Sequence, residues 1–291
     1  MSPRIHILAL LGLAGLATAA DRAAAQPTTA RPLVSEATRD HNGVLVHRVR
    51  SEYQSGETLL KVLLPDRLDR SRKHRTLYVL PVEAGDSSFW GKALEEVKSL
   101  DLHNKHQLIC VYPTFSHLPW YADHPSDPQI RQESYFLRVV LPAIERRYPT
   151  LAEPEGRLLV GFSKSGWGAF SLLLRHPEVF GRAAAWDAPL TVERPVPFGM
   201  GGIFGDQENF EKYRITRLLE QRADQLARPS RSNQAPRLAL LGYDNFRQHH
   251  VAAHERMDAL KIPHIYRDGP KRKHHWQSGW LPEAVGPIAE R

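Results

Sequence analysis

Cysteine is almost absent from this sequence, because Cys110 is the only one among 291 residues. A chain with one cysteine has no internal disulfide, so it is not a small domain held together by disulfide bonds. Cys110 lies in the apolar run LICVY, and we expect a buried, chemically inert thiol. Stability must then come from a hydrophobic core, and the chain is long enough to bury a large one.

Apolar runs long enough to span a membrane are also missing. The run ILALLGLAGLATA at 7–19 is shorter than the ~20 residues that a spanning helix needs. It follows Arg4 and His6, ends in small residues at 17–19 and is followed by further small residues at 23–25, an order typical of a secretory signal peptide. We therefore expect residues 1–26 to be removed, and a secreted or periplasmic protein without stable membrane insertion.

Nucleic-acid motifs are missing as well, although the net charge is +7. The basic runs RLDRSRKHR at 67–75 and KRKHH at 271–275 contain no interleaved aromatic residues, so they are more typical of solvated loops than of a nucleic-acid surface. Hydrophobic residues make up 42% and charged residues 24% of the chain, as in ordinary globular proteins. We expect no nucleic-acid partner.

Strand-like and helix-like segments alternate after a polar lead segment at 27–42. This alternation predicts a single α/β domain over 43–291, with a mainly parallel central sheet and helices on both faces. Predicted strands cover 44–49, 58–64, 76–82, 108–113, 157–162, 182–186, 237–243 and 263–268. Predicted helices cover 90–99, 130–147, 166–175, 207–226, 247–260 and 281–290.

One of the strand-to-helix junctions carries the motif GFSKSG at 161–166. It is similar to the nucleophile elbow G-x-S-x-G, in which a sharp turn lifts a serine above the sheet. Ser163 is then the candidate nucleophile, and Ser165 stands where the last glycine should be. The turn brings Gly161 and residue 165 together, and a serine is small enough to be tolerated there.

A serine nucleophile needs a base and an acid, which follow it along the chain in α/β-hydrolases. Asp244 comes directly after a predicted strand, and the next strand leads to His274 in the stretch HHWQSGW. We predict the triad Ser163, Asp244 and His274. His275 is the alternative base, and Asp187, which also ends a strand, is the alternative acid.

The oxyanion of a tetrahedral intermediate needs backbone N–H donors. One donor is expected at Lys164, directly after the nucleophile, and the second after the third strand, at Val82 or, by preference, Glu83. A carboxylate beside a developing oxyanion is unfavourable, so the side chain of Glu83 must point away from it.

The segment GFSKSGWGAFSLLLRHPEVFGRAAA at 161–185 resembles the putative-esterase family of α/β-hydrolases, which includes S-formylglutathione hydrolases, feruloyl and acetylxylan esterases and mycolyltransferases. The likeness extends over about 55–285. It implies a serine carboxylic-ester hydrolase with no cofactor and no metal, acting on a small-molecule or saccharide-linked ester. Departures from the pattern include Ser165, a missing His-Gly pair after the third strand, and RKHHW before the end.

Four further questions stay open on the sequence. An inactive hydrolase-like protein that binds a saccharide or another envelope ligand is the alternative function, and acyl transfer is an alternative to hydrolysis. His250 and His254, spaced for one helix face, could bind a metal. The segment 113–136 should border the active site, and four of its residues either line a pocket or form a structural plug: Trp120, Tyr121, Asp123 and Arg131. The oligomeric state is not specified by any pattern.

Overall fold

The structure is a computed structural model that describes Met1 and residues 32–227 and 235–290. The predicted signal peptide at 1–26 therefore lies outside the described residues, apart from Met1. Within the described residues, no helix combines the length and the apolar composition that crossing a bilayer requires.

A ten-stranded mixed sheet forms the centre of the protein. Along its main path the order is β1-β3-β4-β6-β5-β7-β8-β9-β10, and β2 pairs with β3. The strands from β6 through β5 to β10 run parallel, whereas β1 to β4 pair antiparallel and join the parallel part through β4 and β6. The strands are β1 (Leu33–Val34), β2 (Thr38–Arg39), β3 (Leu45–Arg50), β4 (Glu57–Leu63), β5 (Thr76–Val79), β6 (Ile109–Pro113), β7 (Arg157–Phe162), β8 (Arg182–Trp186), β9 (Leu238–Leu241) and β10 (His264–Arg267).

Helices connect the parallel strands and lie on both faces of the sheet. They are α1 (Ala93–Ser99), α2 (Leu102–Lys105), α3 (Gln132–Tyr135), α4 (Leu141–Arg147), α5 (Ser163–Arg175), α6 (Gly201–Phe204), α7 (Gln207–Glu211), α8 (Ile215–Ala227), α9 (Arg247–Ala259) and α10 (Leu281–Ala289). Parallel strands need such crossovers, because the end of one strand and the beginning of the next lie at opposite edges of the sheet.

The hydrophobic core is divided into two clusters by the sheet. In β7, Leu158, Val160 and Phe162 belong to one cluster and Leu159 to the other, because successive side chains of a strand point to opposite faces. Side chains of α4, α5 and α8 join the cluster of Leu159, and those of α1 and α10 join the other. The two-faced burial explains why these strands are almost wholly apolar.

The predicted fold class is confirmed, and all predicted strands and helices are found with small shifts of their ends. Two differences are informative. The helix predicted at 130–147 is interrupted by a π-helical turn at Phe136–Val140, and the helix predicted at 207–226 is divided into α7 and α8. The sheet also begins before residue 43, because β1 and β2 of the polar lead pair with β3.

Cys110 is fully buried, as expected. Burial raises the pKa of its thiol far above the ordinary value, so the thiolate that reacts with oxidants and metals is not formed at neutral pH. The thiol is therefore part of the core.

Candidate active site

The junction of β7 and α5 forms a sharp turn at Ser163. Ser163 has a φ of 52°, which is uncommon for a residue other than glycine and is typical of strained functional positions. Its backbone N–H donates a hydrogen bond to the carbonyl oxygen of Asp187 at 3.1 Å, and 7% of the residue is exposed. A strand, a left-handed serine and a helix in this order are the geometry that a nucleophile elbow requires.

The residues on either side of Ser163 come together as predicted. A Cβ atom on Gly161 would lie 2.5 Å from the carbonyl oxygen of Ser165, so residue 161 must be glycine. The Oγ atom of Ser165 donates to the carbonyl oxygen of Phe162 at 2.8 Å and accepts from the N–H of the same residue at 3.1 Å. Ser165 therefore fits the elbow because its hydroxyl closes the turn with two hydrogen bonds.

His274 lies against the end of β8. Its Nδ1 atom donates a hydrogen bond to Oδ2 of Asp187 at 2.5 Å, and 9% of the histidine side chain and 2% of the aspartate side chain are exposed. An ionised carboxylate only accepts hydrogen bonds, so Nδ1 carries a proton, and in the neutral ring Nε2 then keeps its lone pair. This is the tautomer that a general base needs.

Two influences act in opposite directions on Asp187. Burial raises its pKa, but the hydrogen bonds from His274 and from the backbone N–H of Phe246 outweigh burial, so the pKa is lowered. The Phe246 N–H donates to Oδ1 at 2.6 Å. Asp187 is therefore held ionised, and an ionised carboxylate stabilises a histidine that becomes positively charged.

The structure corrects the expected contact between Asp244 and His274. Asp244 lies with its Oδ1 atom 3.7 Å from Nζ of Lys271, and 18% of its side chain is exposed. The reason lies in the strand order: β8, which Asp187 directly follows, is the neighbour of β7, whereas β9 lies one strand farther from the elbow. The carboxylate that meets His274 is thus the one that the sequence ranked second.

His275 contacts Gly91 and Gln277 instead of Asp187. A Cβ atom on Gly91 would lie 2.4 Å from Cε1 of the His275 ring, so the ring fills the space that this glycine leaves. Its Nδ1 atom accepts a hydrogen bond from the N–H of Gln277 at 3.1 Å. Of the two adjacent histidines, only His274 contacts Asp187.

Aromatic rings surround His274. Its ring centroid lies 5.0 Å from those of Trp90 and Phe162 and 5.7 Å from that of Phe246. The loop of Trp90 is fastened to the histidine loop, because the N–H of Trp276 donates to the carbonyl oxygen of Trp90 at 3.0 Å. These contacts fix the imidazole. Among the described residues there is no hydrogen bond from Ser163 Oγ to His274, and such bonds are often long without substrate.

The peptide that joins Pro81 to Val82 has a defined orientation. The hydroxyl of Tyr121 donates to the carbonyl oxygen of Pro81 at 2.6 Å. In a trans peptide the N–H points opposite to the C=O, so the N–H of Val82 points away from Tyr121. Within the part of the chain that the structure describes, the backbone N–H groups of Val82, Glu83 and Lys164 have no hydrogen-bond acceptor, so all three are available as donors.

The side chain of Glu83 forms a small polar network. Its Oε1 atom accepts hydrogen bonds from Nζ of Lys164 at 2.7 Å and from Nε1 of Trp90 at 3.0 Å. The ion pair is largely shielded, with 13% of the lysine and 25% of the glutamate side chain exposed. The carboxylate that the sequence places near the oxyanion donors is therefore neutralised by the lysine that follows Ser163.

The segment at 113–136 is a structural plug at its centre. Trp120 and Tyr121 are fully buried, and a Cβ atom on Gly168 of α5 would lie 2.0 Å from the ring of Tyr121. Asp123 accepts a hydrogen bond from the N–H of Ser134 at 3.0 Å and lies 3.6 Å from Arg131. Of the two interpretations of this segment, the plug is the one that the burial supports.

His250 has a role that the sequence did not predict. It is fully buried, and its Nε2 atom accepts a hydrogen bond from the N–H of Ala188 at 2.8 Å. Burial lowers its pKa to about 4, so the ring is neutral at pH 7. It fixes the residue after Asp187 and is not available to bind a metal together with His254. No motif marks such a histidine, because it depends on packing between α9 and the end of β8.

The fold and this constellation define the class: the chain is an α/β-hydrolase. Solved structures support the fold. A ferulic acid esterase matches with a TM-score of 0.64 and 20% identity, over 87% of this chain and 98% of that chain. A fluorophosphonate-binding serine hydrolase F, FphF, from Staphylococcus aureus matches with a TM-score of 0.66 and 14% identity, over 88% of this chain and 100% of that chain.

Within this class the chain belongs to the family described as "Putative esterase", whose model matches residues 51–230. Esterase Rv1288 of Mycobacterium tuberculosis is 30% identical over 139 residues, which is 46% of this chain and 30% of that protein. The chain thus matches less than a third of the length of this curated relative. Family membership, as inferred from the elbow segment, is confirmed.

Proposed function

We propose that the chain is a serine esterase that hydrolyses a carboxylic ester through an acyl-enzyme on Ser163, with His274 as base and Asp187 as acid. The observation that carries this proposal is the double role of Asp187. Its carbonyl oxygen accepts the N–H of Ser163, and its carboxylate accepts the Nδ1–H of His274. One residue thereby links the elbow to the histidine.

In the first step the Oγ atom of Ser163 attacks the carbonyl carbon of the ester, and Nε2 of His274 takes the hydroxyl proton. The carbonyl π electrons move to the oxygen and form a tetrahedral oxyanion. Asp187 stabilises the imidazolium through its hydrogen bond to Nδ1. The imidazolium then protonates the leaving alcohol as the C–O bond breaks, and the acyl group stays on Ser163.

The oxyanion is stabilised by the backbone N–H of Lys164, at the positive end of the α5 dipole, and by the N–H of Glu83. Lys164 contributes further, because its ammonium group neutralises the Glu83 carboxylate that would otherwise repel the oxyanion. The Lys164–Glu83 ion pair thus offsets the repulsion that an unpaired glutamate would exert at this position.

In the second step His274 removes a proton from water, the resulting hydroxide attacks the acyl-enzyme, and Ser163 regains its proton as the acid leaves. Water as the acceptor makes the protein a hydrolase. A second alcohol in its place would make it an acyltransferase. The proposed substrate is a small-molecule or saccharide-linked ester, and the reaction uses no cofactor.

We further propose that the protein is exported, because residues 1–26 have the charged, apolar and small-residue order of a signal peptide. N-terminal sequencing of protein secreted by a bacterial host tests this proposal. A mature N-terminus near residue 27 in the extracytoplasmic fraction supports export, and an intact N-terminus in the cytoplasm contradicts it.

A fluorophosphonate probe followed by peptide mapping tests the catalytic proposal, since it reacts with activated serines. We expect an adduct at Ser163 that is absent from Ser163→Ala and strongly reduced in His274→Ala. Ser171→Ala is the matched control, because Ser171 lies in the same helix and its buried hydroxyl has no partner among the described residues. The Ser171→Ala variant should be labelled at Ser163 as the wild type is.

Turnover of short-chain acyl esters by the same variants completes the test. The proposal fails if the folded protein neither labels at Ser163 nor hydrolyses such esters, and that result would favour the inactive binding protein. Labelling at another serine would also contradict it.

A further inference from the structure

Three potential metal ligands converge far along the chain from the serine site. His254 and Asp258 lie one turn apart near the end of α9, and His264 begins β10. His254 Nδ1 lies 2.8 Å from His264 Nε2, and Asp258 carboxylate oxygens lie 3.5 Å from His254 Nε2 and 3.8 Å from His264 Nε2. One donor atom from each residue falls within 4.8 Å of the others.

The two imidazoles are held by the surrounding protein. The Nδ1 atom of His264 donates to the carbonyl oxygen of Ile262 at 2.7 Å, so its Nε2 carries the lone pair that points into the cluster. The ring of His254 stacks on Tyr266, with centroids 3.9 Å apart and an interplanar angle of 12°. A backbone carbonyl behind a histidine is the support that metal-binding imidazoles commonly have.

We propose that His254, Asp258 and His264 bind a divalent transition metal, of which Zn²⁺ is the representative. Donors on a tetrahedron with bonds of about 2.0–2.1 Å lie about 3.3 Å apart, and one donor atom of each residue already lies within 4.8 Å of the other two, so a metal would draw the three side chains closer together. Two imidazoles and one carboxylate suit Zn²⁺ better than Ca²⁺ or Mg²⁺, which prefer oxygen ligands.

Burial of the three side chains defines how a metal would enter. The side chain of His264 is 4% exposed, that of His254 29% and that of Asp258 62%. The metal enters from the aspartate side, where water can fill the fourth position. On binding through Nδ1, His254 loses its hydrogen bond to His264, and its ring proton is transferred to Nε2 through solvent, so the imidazole stays neutral.

The metal would fasten the end of α9 to the beginning of β10. These elements flank the Asp187 loop and the loop that carries His274, since Phe246, just before α9, donates to Asp187. The negative end of the α9 dipole also favours a cation here. The proposal concerns stability and binding, and it stands independently of the proposed esterase function.

Titration of the purified, untagged protein with Zn²⁺ tests the proposal, with calorimetry and thermal unfolding as readouts. We expect one high-affinity site per chain and an increase in Tm on Zn²⁺ addition, with no comparable effect of Mg²⁺. His254→Gln and Asp258→Asn should each weaken Zn²⁺ binding by about tenfold or more, since even supporting residues contribute that much.

The matched control is Glu255→Gln, which removes an equal charge from the neighbouring exposed position of α9 and should leave Zn²⁺ affinity unchanged. His264 is the most buried of the three residues, so the half-buried His254 and the exposed Asp258 are the better positions for substitution. Absence of Zn²⁺ binding to the folded protein would overturn the proposal, and so would binding that His254→Gln and Asp258→Asn leave intact.

Discussion

The loops after β8 and β9 each carry an aspartate beyond the carboxyl end of the strand, but the surroundings of the two aspartates differ. Asp187 is buried, accepts hydrogen bonds from His274 and from the Phe246 backbone, and has a lowered pKa. Asp244 is partly exposed and lies 3.7 Å from Lys271 across the loop surface. Both aspartates follow a strand, but Asp187 is more deeply buried than Asp244 and accepts more hydrogen bonds.

The neighbours of a carboxylate therefore decide whether it is held ionised and hydrogen-bonded to a histidine. Burial alone would raise the pKa of Asp187 and favour its neutral form. Donors from two separate loops keep it ionised, and that ionised state gives His274 the tautomer that serves a general base. The Asp244 carboxylate is partly exposed and pairs at 3.7 Å with Lys271, whose side chain is 70% exposed, and such surface pairs contribute little.

The largest expected effect concerns the histidine itself. His274→Ala should lower kcat/KM for a short-chain ester by about 10⁴-fold or more, because base and acid functions are both lost. His275→Ala should lower it by less than about tenfold, since that ring packs against Gly91 and accepts a hydrogen bond from Gln277 but does not contact Asp187. Steady-state kinetics of the two variants measure the ratio, and equal losses would contradict the assignment.

The second prediction compares the aspartates directly. Asp187→Asn should reduce kcat by about 10³- to 10⁴-fold with folding intact, because an amide cannot stabilise the imidazolium and favours the wrong tautomer. Asp244→Asn should change kcat by less than about threefold. Circular dichroism checks folding of both variants. A greater loss in Asp244→Asn would restore the sequence-based choice of acid.

Glu133 extends the comparison to stability. Burial raises its pKa, but hydrogen bonds from His176 and Arg175 outweigh burial and lower the pKa from its ordinary value of 4.5 to about 2. Its folded-state pKa lies below the unfolded one, so its contribution is full above about pH 4.5 and is lost as the pH falls towards 2. The shift corresponds to a free energy of unfolding on the order of 3 kcal/mol.

Urea unfolding of wild type and Glu133→Gln at several pH values measures this contribution. The difference between their free energies of unfolding should be large at pH 7 and shrink between pH 4.5 and 2. Glu208→Gln, at an exposed position of α7, controls for the loss of one negative charge. A difference that stays constant with pH would show that Glu133 acts through packing alone.

The smallest effect is expected at the carboxylate nearest to the oxyanion donors. Lys164→Ala should lower kcat/KM by about tenfold, because Glu83 is then left unpaired beside a developing negative charge. Glu83→Gln should cost less, and the double variant should resemble Glu83→Gln alone. A double-mutant cycle measures this coupling. Additive effects would mean that the ion pair does not act on the transition state.

Much of the fold could be predicted from the sequence. The strand RLLVGF and the helix after it are found with the predicted junction at Ser163, because a buried parallel strand and a helix have clear local patterns. The form of the interruptions of the long helices could not be predicted. The π-helical turn at Phe136–Val140 lies just before Pro142, and a proline in a helix signals a kink or break without specifying a π-helical turn.

The candidate site was predictable only in part. Ser163 and His274 stand in recognisable local stretches, and Ser165 was rightly expected to be tolerated. The acid was ambiguous, because an aspartate follows each of two strands, and only the strand order decides which of the two strands adjoins the elbow. The contacts of His250 and of Glu83 with Lys164 join residues at least 62 positions apart in sequence, so no local pattern reports them.

The sequence by itself determined the order of elements, the α/β class, the elbow and the family, because these depend on local periodicity and short motifs. Only the tertiary structure decided that Asp187 meets His274, that Lys164 neutralises Glu83, and that His254 lies beside His264. Such contacts depend on which strands are neighbours and on which charges are buried together. Both are properties of the packed sheet that the one-dimensional order of residues does not contain.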